Sequence, residues 1–311
     1  MDKKLFFTRR STVVVLTLIC CLLWGSAFPC IKIGYRMFSI PSGSSSSQIL
    51  FAGIRFLLAG VMAAAAGSIA EKRPLIPDRH SLPKVCILSL FQTVFQYTFF
   101  YTGLSRTTGM KSSIITASNV FLALLVSALV FRTEKLTLRK AAGCIIGFSG
   151  VVLINLTGSS DLSLSFAGEG MVFLSALSYA FSASITKIYS RSCDPVMLSS
   201  WQFIVGGAFM SAAGLLTGGT LGSTGPEGAL MLAYLAFISA AAFSLWSLLL
   251  KYNPVSSVAV FGFMNPVFGV ILSALLLSES SGTGPLQTAA SLILAAAGII
   301  IVNFSSRPDR T

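Results

Sequence analysis

Ten apolar stretches, separated by short polar connectors, run along this chain. Each is close to 20 residues long, the length that a helix needs to cross a hydrocarbon core of about 30 Å. The sequence lacks the strictly alternating segments of roughly 10 residues that are typical of a membrane β-barrel. The pattern predicts an all-α membrane protein with ten transmembrane helices, at 12–35, 48–70, 84–105, 110–131, 137–156, 168–190, 195–217, 228–250, 255–278 and 285–304.

Composition and charge agree with this prediction. The chain is 54% hydrophobic and only 10% charged, whereas a soluble domain carries about 25% charged residues. A net charge of +12 would suggest a nucleic-acid partner in a soluble chain, but here 17 of the 22 Lys and Arg residues lie at one side of the predicted spans. Because cytoplasmic loops carry the excess of basic residues, we expect an integral cytoplasmic (inner) membrane protein with both termini in the cytoplasm, in contact with lipid and not nucleic acid.

The second half of the chain repeats the first. "IRFLLAG" (54–60) aligns with "WQFIVGG" (201–207), "NVFLALLVSALVF" (119–131) with "NPVFGVILSALLL" (265–277), and residues 138–158 with 286–306. Because each repeat holds five spans, the second must enter the membrane from the opposite face, as in secondary transporters with a substrate site between the repeats. We therefore predict two inverted five-helix repeats at 1–156 and 168–304, an external linker at 157–167 and a cytoplasmic tail at 305–311.

Three motifs carry a family resemblance. "LLWGSAFPCIKIG" in the first span, "FRTEKLTLRKAAGCIIGFSGVVLIN" across spans four and five, and "NPVFGVILSALLLSE" in span nine resemble the drug/metabolite transporter superfamily, in its ten-helix type with paired EamA domains. The resemblance extends from Trp24 to Asn303. It implies a carrier for small polar metabolites, often an exporter of amino acids, with a central cavity lined mainly by helices 1, 3, 4, 6, 8 and 9.

Polar and aromatic side chains in the middle of the spans are the candidates for substrate binding. A polar group at membrane depth is costly without a partner, so such side chains are expected to face a wet cavity or other polar groups. In span three four of them follow helical spacing, and others are repeat equivalents, such as Trp24 with Tyr179 and Asn119 with Asn265. The predicted substrate-binding residues are Trp24, Gln92, Gln96, Tyr97, Tyr101, Asn119, Tyr179, Trp246 and Asn265.

Two lysines and two prolines are candidates for gating or for the mouths of the pathway. Lys32 and Lys187 are repeat equivalents near opposite faces; each either extends to the membrane interface or attracts anionic groups to its own mouth. Pro29 permits a kink in the first span, and Pro266 predicts a break in span nine. Arg55, early in span two, is interpreted as an interface residue, with Gln202 as its repeat equivalent.

The remaining chemistry limits the mechanism. All ten Asp and Glu residues lie in connectors or at span ends, which argues against the buried carboxylate relay of a proton-coupled carrier. No phosphate-binding loop of an ATPase is present. The "GFSG" at 147–150 lacks a histidine base at membrane depth, so we expect no enzyme activity and no cofactor or metal.

The predicted function is therefore export of an amino acid or related small metabolite by alternating access. The alternatives are import or exchange of a larger metabolite, such as a nucleotide sugar or adenosyl compound, and a non-transporting membrane scaffold. The sequence leaves the substrate, the direction of transport and the oligomeric state open.

Overall fold

The protein is a bundle of helices joined by short connectors. The computed structural model describes residues 3–41, 43–104, 106, 115–155, 165–277 and 284–304, and these residues contain no β-strand, which confirms the predicted all-α class. A short helix, Lys3–Thr8, precedes ten longer helical segments. These are α1 (Arg10–Met37), α2 (Ser45–Glu71), α3 (Leu82–Leu104), α4 (Ile115–Val130), α5 (Leu138–Asn155), α6 (Phe166–Tyr189), α7 (Pro195–Leu216), α8 (Pro226–Tyr252), α9 (255–277) and α10 (Pro285–Phe304).

Each predicted span has a helical counterpart. Among the described residues, eight helices are long and apolar enough to cross a membrane, α4 is a shorter apolar helix, and α5 has 18 residues. The chain is therefore an integral membrane protein. Most of the predicted linker and the whole predicted tail lie outside the described residues.

The α2–α7 pair demonstrates that the two repeats are inverted. A Cβ added at Gly60 of α2 would lie 2.6 Å from the carbonyl oxygen of Ser200 in α7, and a Cβ added at Gly207 of α7 would lie 2.8 Å from the carbonyl oxygen of Gly53 in α2. Gly60 and Gly207 are the repeat-equivalent glycines of the aligned motifs. As the residue number in contact rises along α2, it falls along α7. The two helices are therefore antiparallel, as a two-fold axis between them requires.

The α5–α10 pair repeats the same arrangement. A Cβ at Gly298 would lie 2.6 Å from the carbonyl oxygen of Gly143 and 2.7 Å from the Cα of Gly147. The G-x-x-x-G at 143–147 therefore forms a packing face, since only small residues let two helix backbones approach so closely.

Helix α1 lies against α8 and α9 of the second repeat. The thiol of Cys20 is 3.5 Å from the carbonyl oxygen of Ala242 in α8, and that of Cys21 is 3.2 Å from the carbonyl oxygen of Phe261 in α9. A turn later, a Cβ at Gly25 would meet the Cβ of Phe268 at 2.5 Å. Small residues on this face of α1 therefore bring the first repeat into direct contact with the second.

Regular helix geometry is interrupted in four helices that the family resemblance assigns to the cavity. Helix α6 begins with a π-helical segment at Phe166–Gly170. Helix α3 contains a π-helical segment at Leu90–Phe95, α4 ends in another at Val126–Val130, and α9 contains a 3₁₀ turn at Val260–Phe263. This turn lies just before Asn265–Pro266, where the sequence predicts a break. Such irregular turns frequently occur at functional sites.

Candidate functional site

Aromatic rings from both repeats meet where α1, α2, α3, α7 and α8 converge. The ring of Trp24 lies 4.9 Å from that of Trp246 and 5.0 Å from that of Phe243, centroid to centroid. We call the connected group of rings the aromatic cluster: Trp24, Tyr35, Phe56, Tyr97, Tyr101, Phe203, Phe243 and Trp246. Four of the nine predicted substrate-binding residues belong to it.

The cluster is centred on the symmetry axis of the repeats. Phe56 and Phe203 are repeat equivalents, and their rings stack with centroids 5.0 Å apart and planes only 2° from parallel. Tyr179, the equivalent of Trp24, interacts with Trp246 and with Tyr97, so it borders the cluster from α6. Residues that the sequence alignment pairs are therefore brought together around one axis between the repeats.

Several polar atoms around this axis are buried without a hydrogen bond of standard geometry. The indole nitrogens of Trp24 and Trp246 and the hydroxyl oxygen of Tyr35 make no hydrogen bond of standard geometry to any described residue. Most buried polar groups in proteins are hydrogen-bonded, and leaving one unpaired costs about 1–3 kcal/mol. These donors and acceptors are therefore suited to water or to a polar solute.

The oxygens of the four predicted amides also lack a partner in the described part of the chain, but the four residues lie in two groups. Gln92 lies in the π-helical segment of α3 and is 4% exposed, and Gln96 is one turn further towards the tyrosines of the aromatic cluster. Asn119 and Asn265 belong to α4 and α9, which contact each other where Val120 meets Gly262. The amide oxygen of each of the four has no hydrogen-bond partner among the described residues, so no direct bond joins either asparagine oxygen to the cluster.

The predicted mouth and gating residues have different surroundings. Lys32 is exposed and Pro29 is buried within an unbroken α1. Lys187 is not directed only to solvent: its ammonium group donates to the carbonyl oxygens of Leu250, at 3.1 Å, and of Asn253, at the end of α8. Those carbonyls lack helical partners, so Lys187 fastens α6 to α8 here, and its role at a mouth stays a prediction. Pro266 lies near the start of the regular part of α9.

Arg55 was misplaced by the sequence interpretation. It is only 4% exposed and is not an interface residue, because it lies about 15 Å along α2 from Ser45 at a rise of 1.5 Å per residue. Its guanidinium carbon is 4.3 Å from the centre of the Phe56 ring, and its charge acts on the hydroxyls of Tyr35 and Tyr97. The sequence feature that could have indicated this burial is the distance of Arg55 from the end of the helix.

A buried ionic network joins the repeats at one end of the bundle, and the sequence analysis did not find it. Glu134, in the α4–α5 connector, pairs with Lys140 of α5 at 2.6 Å and accepts hydrogen bonds from the Ser127 hydroxyl at 3.0 Å and from the backbone nitrogen and hydroxyl of Ser256 in α9. Burial alone would raise the pKa of Glu134, but the donors of Lys140 and Ser256 outweigh burial and lower it.

The aromatic cluster is closed in this structure. Ring centroids about 5 Å apart are in direct contact, so side chains fill the space between α1 and α8. A surface groove of about 620 Å³, lined by Arg132, Glu134 and neighbouring residues, lies instead at the α4–α5 connector. A solute can therefore reach the unpaired polar atoms only after the rings separate.

These features define a polytopic membrane protein with the inverted-repeat architecture of secondary transporters. The model of the EamA-like transporter family matches residues 11–156 and again residues 166–304. The chain therefore belongs to that family, and the resemblance to the drug/metabolite transporter superfamily is confirmed.

Relatives of known sequence extend over most of the chain. A probable amino-acid metabolite efflux pump of Salmonella typhimurium is 26% identical over 95% of this chain and 96% of its own length. An uncharacterized transporter of Bacillus subtilis is 24% identical over 99% and 96%. A WAT1-related chloroplast protein of Arabidopsis thaliana is 25% identical over 83% of this chain, which covers 63% of that protein.

A solved crystal structure has the same fold. It superposes with a TM-score of 0.77 over 97% of this chain and 100% of the other, at 16% sequence identity. At that identity the similarity extends to the fold alone.

Proposed function

We propose that this chain exports an amino acid or a related small metabolite by alternating access between its two repeats. The observation that carries the proposal is the set of unpaired polar atoms around the aromatic cluster, at the axis between the inverted repeats. Substrates of inverted-repeat carriers bind at that position. The Salmonella relative, described as a probable amino-acid metabolite efflux pump, supports the choice of amino acids.

In the proposed site each kind of side chain has a separate task. The faces of Trp24, Trp246 and Tyr97 surround the apolar part of the solute, because aromatic rings offer large apolar contact areas. The indole nitrogens and the amides of Gln92 and Gln96 hydrogen-bond its polar groups. A solute that satisfies these atoms recovers the free energy of their desolvation, whereas a purely apolar one does not.

Opening requires the rings of the aromatic cluster to separate. We assign this motion to α3, α4 and α9, whose π-helical and 3₁₀ segments interrupt the regular hydrogen bonds of the helix. The glycine-mediated pairs α2–α7 and α5–α10 remain fixed, because their backbones already touch. The proposed topology has ten spans with both termini in the cytoplasm, in agreement with the basic connectors.

Transport is proposed to run down the solute gradient, without a proton relay inside the spans. Among the described residues, the carboxylates of Glu134, in a connector, and of Glu169, in the first turn of α6, are buried. Neither lies at the middle of a span, where a relay requires one. Uphill accumulation of substrate in proteoliposomes under an imposed pH gradient would contradict this part of the proposal.

Growth in the presence of toxic amino-acid analogues tests the function. Bacteria that express the chain should resist at least one analogue of the panel, and Trp24→Ala or Gln96→Ala should remove the resistance at equal membrane expression. Phe237→Ala, which removes a lipid-side ring that is 47% exposed on α8, is the control and should keep it. Equal sensitivity of cells with and without the protein to every compound would refute the export of amino acids.

A further inference from the structure

Arg55 is a buried cation without a carboxylate partner. None of the carboxylates in the described part of the chain forms an ion pair with it, and its Nε has no hydrogen-bond partner among those residues. A charged side chain taken out of water is normally paired, and one within a membrane-spanning segment normally serves function. Arg55, at 4% exposure, is therefore a cation whose counter-charge the described chain does not supply.

The fold itself does not require this charge. The repeat equivalent of Arg55 is Gln202, a neutral side chain that is fully buried in α7 and accepts a hydrogen bond of 2.5 Å from Thr93. The two repeats therefore pack around the same axis with a guanidinium on one side and an amide on the other. Because the equivalent position packs without a charge, the charge of Arg55 is explained by ligand binding and not by packing.

Two phenol groups lie around the guanidinium. Tyr35 and Tyr97 both interact with the charge of Arg55, and the hydroxyl of Tyr35 has no hydrogen-bond partner of standard geometry among the described residues. Phe56 connects this group to the aromatic cluster, because its ring lies 4.3 Å from the guanidinium carbon and 4.4 Å from the ring of Tyr97. The cation therefore borders the proposed site for the solute.

We propose that Arg55, together with the hydroxyls of Tyr35 and Tyr97, binds the carboxylate of the transported solute. The inference rests on the proposed function and deepens it: the substrate is a monoanionic or zwitterionic carboxylate. A guanidinium matches a carboxylate with two parallel N–H···O bonds, and the phenols donate to the remaining lone pairs. The guanidinium neutralises the single negative charge of a carboxylate group, whereas one of the two negative charges of a phosphate dianion would stay unpaired.

The experiment compares each amino acid with its own amide, which has nearly the same shape but no carboxylate. Radiolabelled L-amino acids and the corresponding amino-acid amides are offered to proteoliposomes that contain the wild-type chain, Arg55→Gln or Arg36→Gln. The wild type should move the acid in clear preference to the amide. Arg55→Gln should lower this preference about 10- to 100-fold, the range for a hydrogen bond to a charged group, mainly through loss of the acid.

Two further variants make the result specific. Arg36→Gln removes an exposed arginine near the end of α1 and should leave the preference unchanged, which controls for net charge. Tyr97→Phe removes only a hydroxyl and should lower the preference about fivefold, because the hydroxyl donates a stronger hydrogen bond to the charged carboxylate than to the neutral amide. The proposal therefore remains testable if Arg55→Gln does not fold.

The outcomes separate this inference from the proposed function. A wild type that moves acids and amides equally well, or an Arg55→Gln protein that loses both in the same proportion, overturns the carboxylate site and leaves the carrier in place. A wild type that moves no solute of the panel faster than empty liposomes overturns the proposed function, and the carboxylate site with it.

Discussion

The substitution Glu134→Gln should destabilise the folded protein by removing the ionic network between the repeats. The side chains of Glu134 and Lys140 are 7% and 9% exposed, so the pair is buried. Glutamine keeps the size of the side chain and part of its hydrogen bonding to Ser127 and Ser256. It removes the negative charge, and the ammonium group of Lys140 then lies buried without a counter-charge.

The expected magnitude follows from that uncompensated charge. Breaking a buried pair by removal of one partner costs about 3–5 kcal/mol, and the lower end applies because the carbonyl oxygen of Lys135 still accepts from Lys140 at 3.2 Å. A loss of about 3 kcal/mol corresponds to a decrease in melting temperature of roughly 5 °C or more for a chain of this size.

Thermal unfolding of the purified protein in one detergent, followed by intrinsic fluorescence, measures the effect. Lys135→Gln removes a neighbouring exposed charge and should change the melting temperature by less than a degree or two. Lys140→Met should also destabilise, and the double variant Glu134→Gln/Lys140→Met should be more stable than the sum of the two single effects predicts. Strict additivity, or a Glu134→Gln protein as stable as Lys135→Gln, would refute the reasoning.

Three further predictions concern the same scaffold. The pKa of Glu134 is lower in the folded state than its ordinary value of 4.5. Its contribution to stability is therefore complete above about pH 4.5 and is lost as the pH falls through the folded-state pKa. The difference in melting temperature between wild type and Glu134→Gln should shrink at lower pH, and a constant difference would contradict this. Gly60→Leu should prevent accumulation of folded protein, since its Cβ would meet the carbonyl oxygen of Ser200 at 2.6 Å, whereas Gly225→Ala, with nothing within 4 Å, should fold normally in size-exclusion chromatography. Lys187→Met should lower the stability by about 1–3 kcal/mol, because two carbonyls of α8 lose their donor, whereas the exposed-site variant Arg191→Gln should match the wild type.

The scaffold was largely predictable because its determinants are local or repeated in the sequence. Apolar length predicts the helices, and the aligned motifs predict which helices are equivalent. The glycines at 60 and 207 lie in those motifs, so their matching contacts across the antiparallel α2–α7 pair follow from the duplication. Trp24 and Tyr179 were recognised as equivalents for the same reason, since repeat-equivalent residues must be related by the axis.

The features that escaped prediction depend on helix rotation and on contacts between distant elements. The burial of Arg55 depends on which face of α2 meets α1 and α3. The sequence does not indicate that face, because α2 carries apolar residues on all of its faces. Glu134 lies in a connector, a position that is typical of a solvated charge. It is nevertheless hydrogen-bonded by Ser256, more than a hundred residues later in the chain. The π-helical segment of α3 has no signature in the sequence, because its residues also fit a regular helix.

The measurement that tests the central claim most directly is solute exchange in proteoliposomes. Vesicles loaded with an unlabelled amino acid from the resistance panel take up the labelled form from outside if a carrier connects the two sides. The account predicts uptake above that of empty liposomes for the wild type and for Phe237→Ala, and its loss in Trp246→Ala, which removes a ring that is 2% exposed at the axis of the repeats. Uptake by Trp246→Ala equal to that of the wild type would contradict a pathway through the aromatic cluster.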